Sequence, residues 1–325
     1  MQTHQLYPLR FKPVFRRYLW GGRRLGTLLN KPIGEGTDYA ESWELVDRGR
    51  DQSIVASGPL AGFSLQELMQ QHGEDLLGRH HPQPRFPLLF KLLDATRQLS
   101  VQVHPNDAQA QLLASPDLGK TEAWVILAAD EGSYIYAGLR KGFDRHAFER
   151  ELRRGTCELC LHKLEPQPGD CIFLPAGTVH ALGPGLLVAE IQQSSDTTYR
   201  VFDWNRVGAD GKTRPLHIEQ ALEVIDFDAG PVIQQVPLAT PLTHVERLVN
   251  CEKFVLDRWR LGKPHALEDD QRCHILCVVE GSVSVSGDPA GTTFNRGEVI
   301  LIPAASRPVI VEPAEDSIVL DAYLP

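Results

Sequence analysis

The chain lacks any apolar run long enough to cross a membrane, so no membrane partner is expected. Its opening stretch, MQTHQLYPLRFKPVFRRYLWGG, also lacks the apolar core of a secretory signal, and a soluble, cytoplasmic protein is the expectation. Positive charge is in deficit. Lys and Arg number 33 against 42 Asp and Glu, a net charge of −9, which argues against a nucleic-acid partner because a duplex demands a basic surface. An anionic substrate would have to be met by a local cluster of cations. Cysteine is sparse and irregularly placed, at 157, 160, 171, 251, 273 and 277, unlike the framework of a small disulfide scaffold. The one CxxC, Cys157 and Cys160 in TCELCLHKL, has no second pair of that spacing to complete a zinc ribbon, so a structural role is expected. A glycine-rich phosphate loop is missing too, since the glycines of ALGPGLL precede no helix and mark a turn.

What is present is an ordinary globular composition, 42% hydrophobic and 23% charged over 325 residues, enough for about two domains. Short β-rich stretches separated by turn residues dominate: PLLFKLLDA (87–95), LSVQVH, EAWVILAA (122–129), CIFLPAG, LLVAEIQQ (186–193) and TYRVFDW (198–204). This spacing predicts antiparallel sandwiches or barrels. Short helices are inserted among them. Ser64 and Glu67 form a capping box before LQELMQQHGEDLL; Asp144 caps RHAFERELRRG, which Gly155 ends; two more are expected around 108–114 and in HIEQALEVIDF. A proline-rich crossing, DAGPVIQQVPLATPLTH, leads into a second run of strands. The domains are therefore expected at 1–240, carrying the chemistry and the helical insertions, and at 241–325, a smaller β unit.

One internal echo sharpens this reading. GDCIFLPAGTVH, from Gly169 to His180, aligns without gaps with GEVILIPAASRP, from Gly297 to Pro308. The first copy fits the cupin pattern in which PxGxxH follows a glycine after five residues. In the second, Ala305 replaces the glycine and Pro308 replaces the histidine, so the second unit cannot repeat a metal site by that route. The fold class expected is mainly β: two cupin-like jelly-roll units with short inserted helices.

The candidate chemistry gathers in the first unit. In LSVQVHPND the apolar side chains Leu99, Val101 and Val103 alternate with Ser100, Gln102 and His104, so Gln102 and His104 share a face and can reach one ion. Glu122 lies on the next clear strand with Lys120 on the same parity, and His180 completes a set of two imidazoles, one carboxylate and one amide oxygen. Each residue alone reads as an ordinary strand residue. Together they match a catalytic zinc with room left for water or substrate. The tryptophans Trp20, Trp43, Trp124 and Trp204 are read mainly as core.

Several stretches, AESWELVD, FPLLFKLLDA, LSVQVHPND, GKTEAW, LPAGTVHALG and EIQQSSDTTYRVFDWNR, closely resemble the type I phosphomannose isomerases, the short bacterial form in particular, over about residues 12–225. The resemblance implies a two-cupin fold, one zinc ion per chain, and interconversion of mannose 6-phosphate and fructose 6-phosphate. It places the zinc ligands on Gln102, His104, Glu122 and His180, the active-site arginine on Arg200, the lysine beside the ligand glutamate on Lys120, the serine before QxH on Ser100, and an acidic position on Asp196. Gly119 precedes Lys120 where longer members begin that motif differently. For the phosphate of the small-molecule substrate the candidates are Ser100, Lys91 and Arg206. Two other readings stay open: a cupin iron oxygenase, since two histidines and a carboxylate also suit that metal, and a hexose-phosphate-binding protein without turnover. Nothing in the sequence sets the oligomeric state.

Overall fold

A computed structural model of the chain describes residues 5–207, 211–306 and 308–325. The molecule is mainly β, and its internal contacts divide it into two compact units.

The unit formed by Arg17–Gly22 and Leu93–Gln235 carries every candidate metal ligand. Its strands include β1 (Val101–Val103), β2 (Glu122–Ala129), β3 (Ile135–Leu139), β4 (Leu161–Leu164), β5 (Cys171–Leu174), β6 (His180–Leu182), β7 (Leu186–Gln193) and β8 (Tyr199–Phe202). One antiparallel sheet has the order β4-β3-β6-β1-β8; β2 pairs with β5 on one side and β7 on the other. Val101 and Val103, both fully buried, pack away from the polar face of β1, in a core with Phe148, Ala221 and Val224 from the inserted helices Arg145–Arg154 and Ile218–Val224. The apolar face thus meets a helical layer, which leaves the polar face of β1 turned into the sandwich. Asp144 and the left-handed Gly155 bound the first of these helices, as their residue types predict.

Two of these strands, β3 and β4, give no clear alternating signal in the sequence. In IYAGL the interruption is Gly138, whose φ is +72° and where a Cβ would lie 2.2 Å from the Gly230 carbonyl oxygen. Only glycine permits that bend and that close approach. Cys157 and Cys160 form a single 3-10 turn between the Arg145–Arg154 helix and β4. Burial pushes their thiols up to about 12 and about 11, so at neutral pH they are protonated, unreactive core groups.

The other unit comprises the described residues up to Arg16, together with Arg23–Leu92 and the described residues from Val236 to Pro325. An eight-stranded sheet and a four-stranded sheet enclose its core of Trp259, Leu276, Val285, Ile300 and Val311. This grouping differs from one drawn in chain order with a boundary at 240. The physical reason is strand pairing: Leu9–Lys12 runs antiparallel to Val299–Ile302, with Leu9 opposite Leu301, and so ties the start of the chain to its end. The echo is visible in the pairing. Leu174 stands opposite Glu122, and its counterpart Ile302 stands opposite His274. There the ring nitrogens of His274 lie 2.8 Å from Asp321 Oδ1 and 3.1 Å from Asp270 Oδ2, so an imidazole faces two carboxylates where the first unit has Glu122.

Candidate metal centre

The site is built on a line across three neighbouring strands. Gln102 on β1 stands in register with His180 on β6 and with Arg200 on β8, which sets all three side chains on one face. Glu122 comes from β2, where Leu174 and Gln192 are its cross-strand neighbours. The polar side chains flanking β1 are buried, Ser100 at 3% and His104 at 2% exposed, while Gln102 between them is partly exposed.

Backbone carbonyls orient both imidazoles. His104 Nδ1 lies 2.9 Å from the Thr197 carbonyl oxygen and His180 Nδ1 lies 2.8 Å from that of Thr178. Each Nδ1–H donates to its carbonyl, so each Nε2 presents a lone pair inward. Burial drives His180 down to about 4, which keeps it neutral at physiological pH. The two Nε2 atoms look onto Glu122, at 3.7 Å for His104 and 3.3 Å for His180. Lys120 Nζ lies 2.8 Å from Glu122 Oε2 and 3.2 Å from His104 Nε2.

Two imidazole lone pairs and a carboxylate converge here with their ligand atoms within 4.8 Å of one another. Acceptors facing acceptors in a dry interior repel unless a cation lies among them, and Lys120 supplies only a partial answer from one side. A donor set of two imidazole nitrogens and one carboxylate oxygen fits a divalent transition metal. Gln102 adjoins it, with Nε2 at 3.3 Å from His180 Nε2; a half-turn of the amide presents Oε1 instead.

The supports of these ligands have no signature in the sequence. Asp117 accepts hydrogen bonds from Ser195 Oγ and Thr197 Oγ1, both at 3.2 Å, and so holds the loop whose Thr197 carbonyl fixes His104. Trp124 packs edge-on against His180 at 5.4 Å between ring centroids, and its indole N–H donates to Glu190 at 3.0 Å. A tryptophan read as core is also a wall of the site.

The remaining candidates separate. Arg200 is half-buried and donates from Nε to Ser100 Oγ at 3.3 Å. Burial, and after it the charge of Arg214, draws its pKa down from the ordinary arginine value. Asp196 is exposed, on the loop beside Thr197. Arg206 donates to Asp203 and to the Gln98 carbonyl, the latter at 2.6 Å, and in this arrangement braces the turn after β8. Lys91 belongs to the other unit, buried, with Nζ 4.7 Å from the centre of the Trp43 ring.

The chain is similar to known proteins along most of its length. Residues 8–129 match the family described as phosphomannose isomerase type I, catalytic domain, and residues 244–320 match the mannose-6-phosphate isomerase cupin domain. The chain is 35% identical over 299 residues to the mannose-6-phosphate isomerase ManA of Bacillus subtilis, covering 91% of this chain and 93% of the relative. It is 33% identical over 298 residues to the mannose-6-phosphate isomerase of Streptococcus mutans, covering 91% and 92% respectively. The crystal structure of the mannose 6-phosphate isomerase from Bacillus subtilis superposes with a TM-score of 0.88 at 29% identity, covering 98% of this chain and 99% of that one.

Proposed function

The chain belongs to the type I phosphomannose isomerase family, and from that premise we propose that it is a zinc-dependent aldose–ketose isomerase acting on mannose 6-phosphate and fructose 6-phosphate in the cytoplasm. The observation that carries this reading is the buried His104, Glu122 and His180 cluster set on the same wall as Arg200 and beside Lys120.

His104, Glu122 and His180, with Gln102 through its amide oxygen, would hold the zinc. When bound, it supplies Lewis-acid polarisation of the substrate oxygens. One carboxylate among three neutral ligands leaves the site a surplus positive charge, suited to an enediolate between C1 and C2. Lys120, bonded to Glu122 and His104, tunes that surplus and is assigned a role in proton transfer or ring opening. Arg200 has the charge and the position to stabilise the developing anion, and a guanidinium, which stays protonated, is a poor base. Asp196 is assigned to the same catalytic group on its place four residues before Arg200. Ser100, Lys91 and Arg206 are the phosphate candidates, Ser100 first because its hydroxyl adjoins Arg200. We assign the catalytic role to the chain through 240 and a structural one to residues 241–325, where Pro308 stands at the position of His180.

The test is a coupled assay of mannose 6-phosphate conversion under nitrogen, with and without chelator. Turnover without oxygen that is lost on chelation and regained with zinc supports the reading and excludes an oxygenase. Tight binding of mannose 6-phosphate by zinc-loaded protein that forms no ketose overturns it in favour of a binding protein.

A further inference from the structure

Strand β8, which carries Arg200, lies at the edge of its sheet, with β1 on one side only. At Arg200 the other edge is closed by a single residue. His217 donates its backbone N–H to the Arg200 carbonyl at 2.8 Å, and its ring Nδ1 accepts the Arg200 backbone N–H at 3.2 Å. Two residues earlier the Pro215 carbonyl accepts from Arg200 Nη1 at 3.1 Å. One short segment therefore grips both the peptide and the guanidinium of the same arginine.

We infer that His217 is a positioning residue for Arg200: its ring takes the place of the carbonyl that a neighbouring strand would offer, and so sets where the guanidinium meets the substrate. An edge N–H is otherwise left to water, and the strand is free to shift by fractions of an ångström. The ring suits this task. Its pKa lies below the ordinary imidazole value, from burial first and the charge of Arg200 second, so Nδ1 keeps its lone pair at neutral pH. His217 also occupies the N-cap position of the helix Ile218–Val224, yet its side chain makes no capping bond and turns to Arg200 instead. That helix is anchored by Ala221 and Val224 in the core shared with Val101 and Val103, and the His217 ring meets Tyr199 edge-on at 6.2 Å between ring centroids.

The inference rests on the isomerase reading, and the experiment separates the two. In His217→Asn the amide oxygen sits as many bonds from Cβ as Nδ1 and can accept the same N–H; in His217→Gln it is displaced to the position of Nε2; His217→Leu offers no acceptor. In zinc-loaded proteins of equal metal content and equal thermal midpoint, Asn is expected to keep kcat within about threefold. Gln and Leu are expected to lose roughly 10- to 100-fold in kcat, as for a misplacement of about an ångström. Hydrogen exchange at the Arg200 amide gives a readout independent of turnover: slow in the wild type and in Asn, fast in Leu. Equal kcat in all three variants, or an Arg200 amide equally protected in Leu, overturns the inference. A wild type inactive on mannose 6-phosphate overturns the isomerase reading instead, and the exchange measurement still decides whether His217 holds Arg200. If Leu fails to fold, Asn against Gln decides both readouts.

Discussion

Replacing Glu122 by Gln changes one oxygen to an amide in a side chain that is fully buried, so the shape survives and the charge does not. Two consequences follow from the distances. Lys120, 5% exposed with Nζ 2.8 Å from Glu122 Oε2, loses its counter-charge and becomes an uncompensated cation in the interior. Removing one partner of such a buried pair destabilises by about 3–5 kcal/mol. Metal affinity falls as well, because the one anionic ligand is gone. The expected result for chelator-treated Glu122→Gln is a urea midpoint well below that of chelated wild type. The double variant Glu122→Gln/Lys120→Met should recover most of that loss by removing the orphaned charge, yet still bind no stoichiometric zinc by atomic absorption. A single variant as stable as wild type, or one that retains a full equivalent of zinc, refutes the argument that Glu122 is both the charge partner of Lys120 and the anionic ligand.

His180→Ala should lose both metal and turnover, whereas Arg200→Ala should keep a full metal complement and lose about 10²–10³ in kcat, as for removal of one anion-stabilising donor; metal analysis beside the isomerase assay checks both. His265 carries a pKa depressed from 6.5 to about 4, by burial first and by His244 and His274 after it. The unfolded chain therefore takes up a proton that the folded ring refuses, so this contribution to stability is intact above pH 6.5 and declines as the pH falls towards 4. Urea midpoints measured across that window should show a shallower decline in His265→Leu than in wild type. Gly138→Ala should destabilise well beyond the roughly 1–2 kcal/mol of a left-handed backbone, because its Cβ would strike the Gly230 carbonyl, while Gly142→Ala, with φ +88° and nothing within 4 Å, should stop at that cost; thermal unfolding of the two variants distinguishes them.

The parts of the fold legible in the sequence are those with a period or a cap. The alternation of Leu99 to His104 marks β1 and its two faces, Asp144 and Gly155 bracket a helix, and the echo of Gly169–His180 at Gly297–Pro308 marks the second unit as related but divergent. The candidate metal ligands are legible because chemistry restricts which side chains can serve and pairing restricts where they sit. The residues that aim them are not. Thr178 and Thr197 act through backbone carbonyls, which every residue has, and Asp117 acts through a loop. The partners of Arg206, Asp203 and the Gln98 carbonyl, come together only through the turn after β8, so the sequence shows its charge but not these contacts. The grouping of Leu9–Lys12 with the last strands depends on a pairing that spans almost the whole chain, which no local pattern records.

The imidazole of His274, between Asp321 and Asp270, stands at the place in the second sandwich where the first has Glu122. Each unit buries a carboxylate here and sets nitrogen groups against it, Lys120 and two imidazoles against Glu122, His274 against Asp321. On the proposed reading an ion from the surroundings completes the first cluster, so its readiness tracks metal supply. The second is closed by its own side chains, His274 between Asp321 and Asp270, and should complete its interior under metal starvation as readily as in plenty.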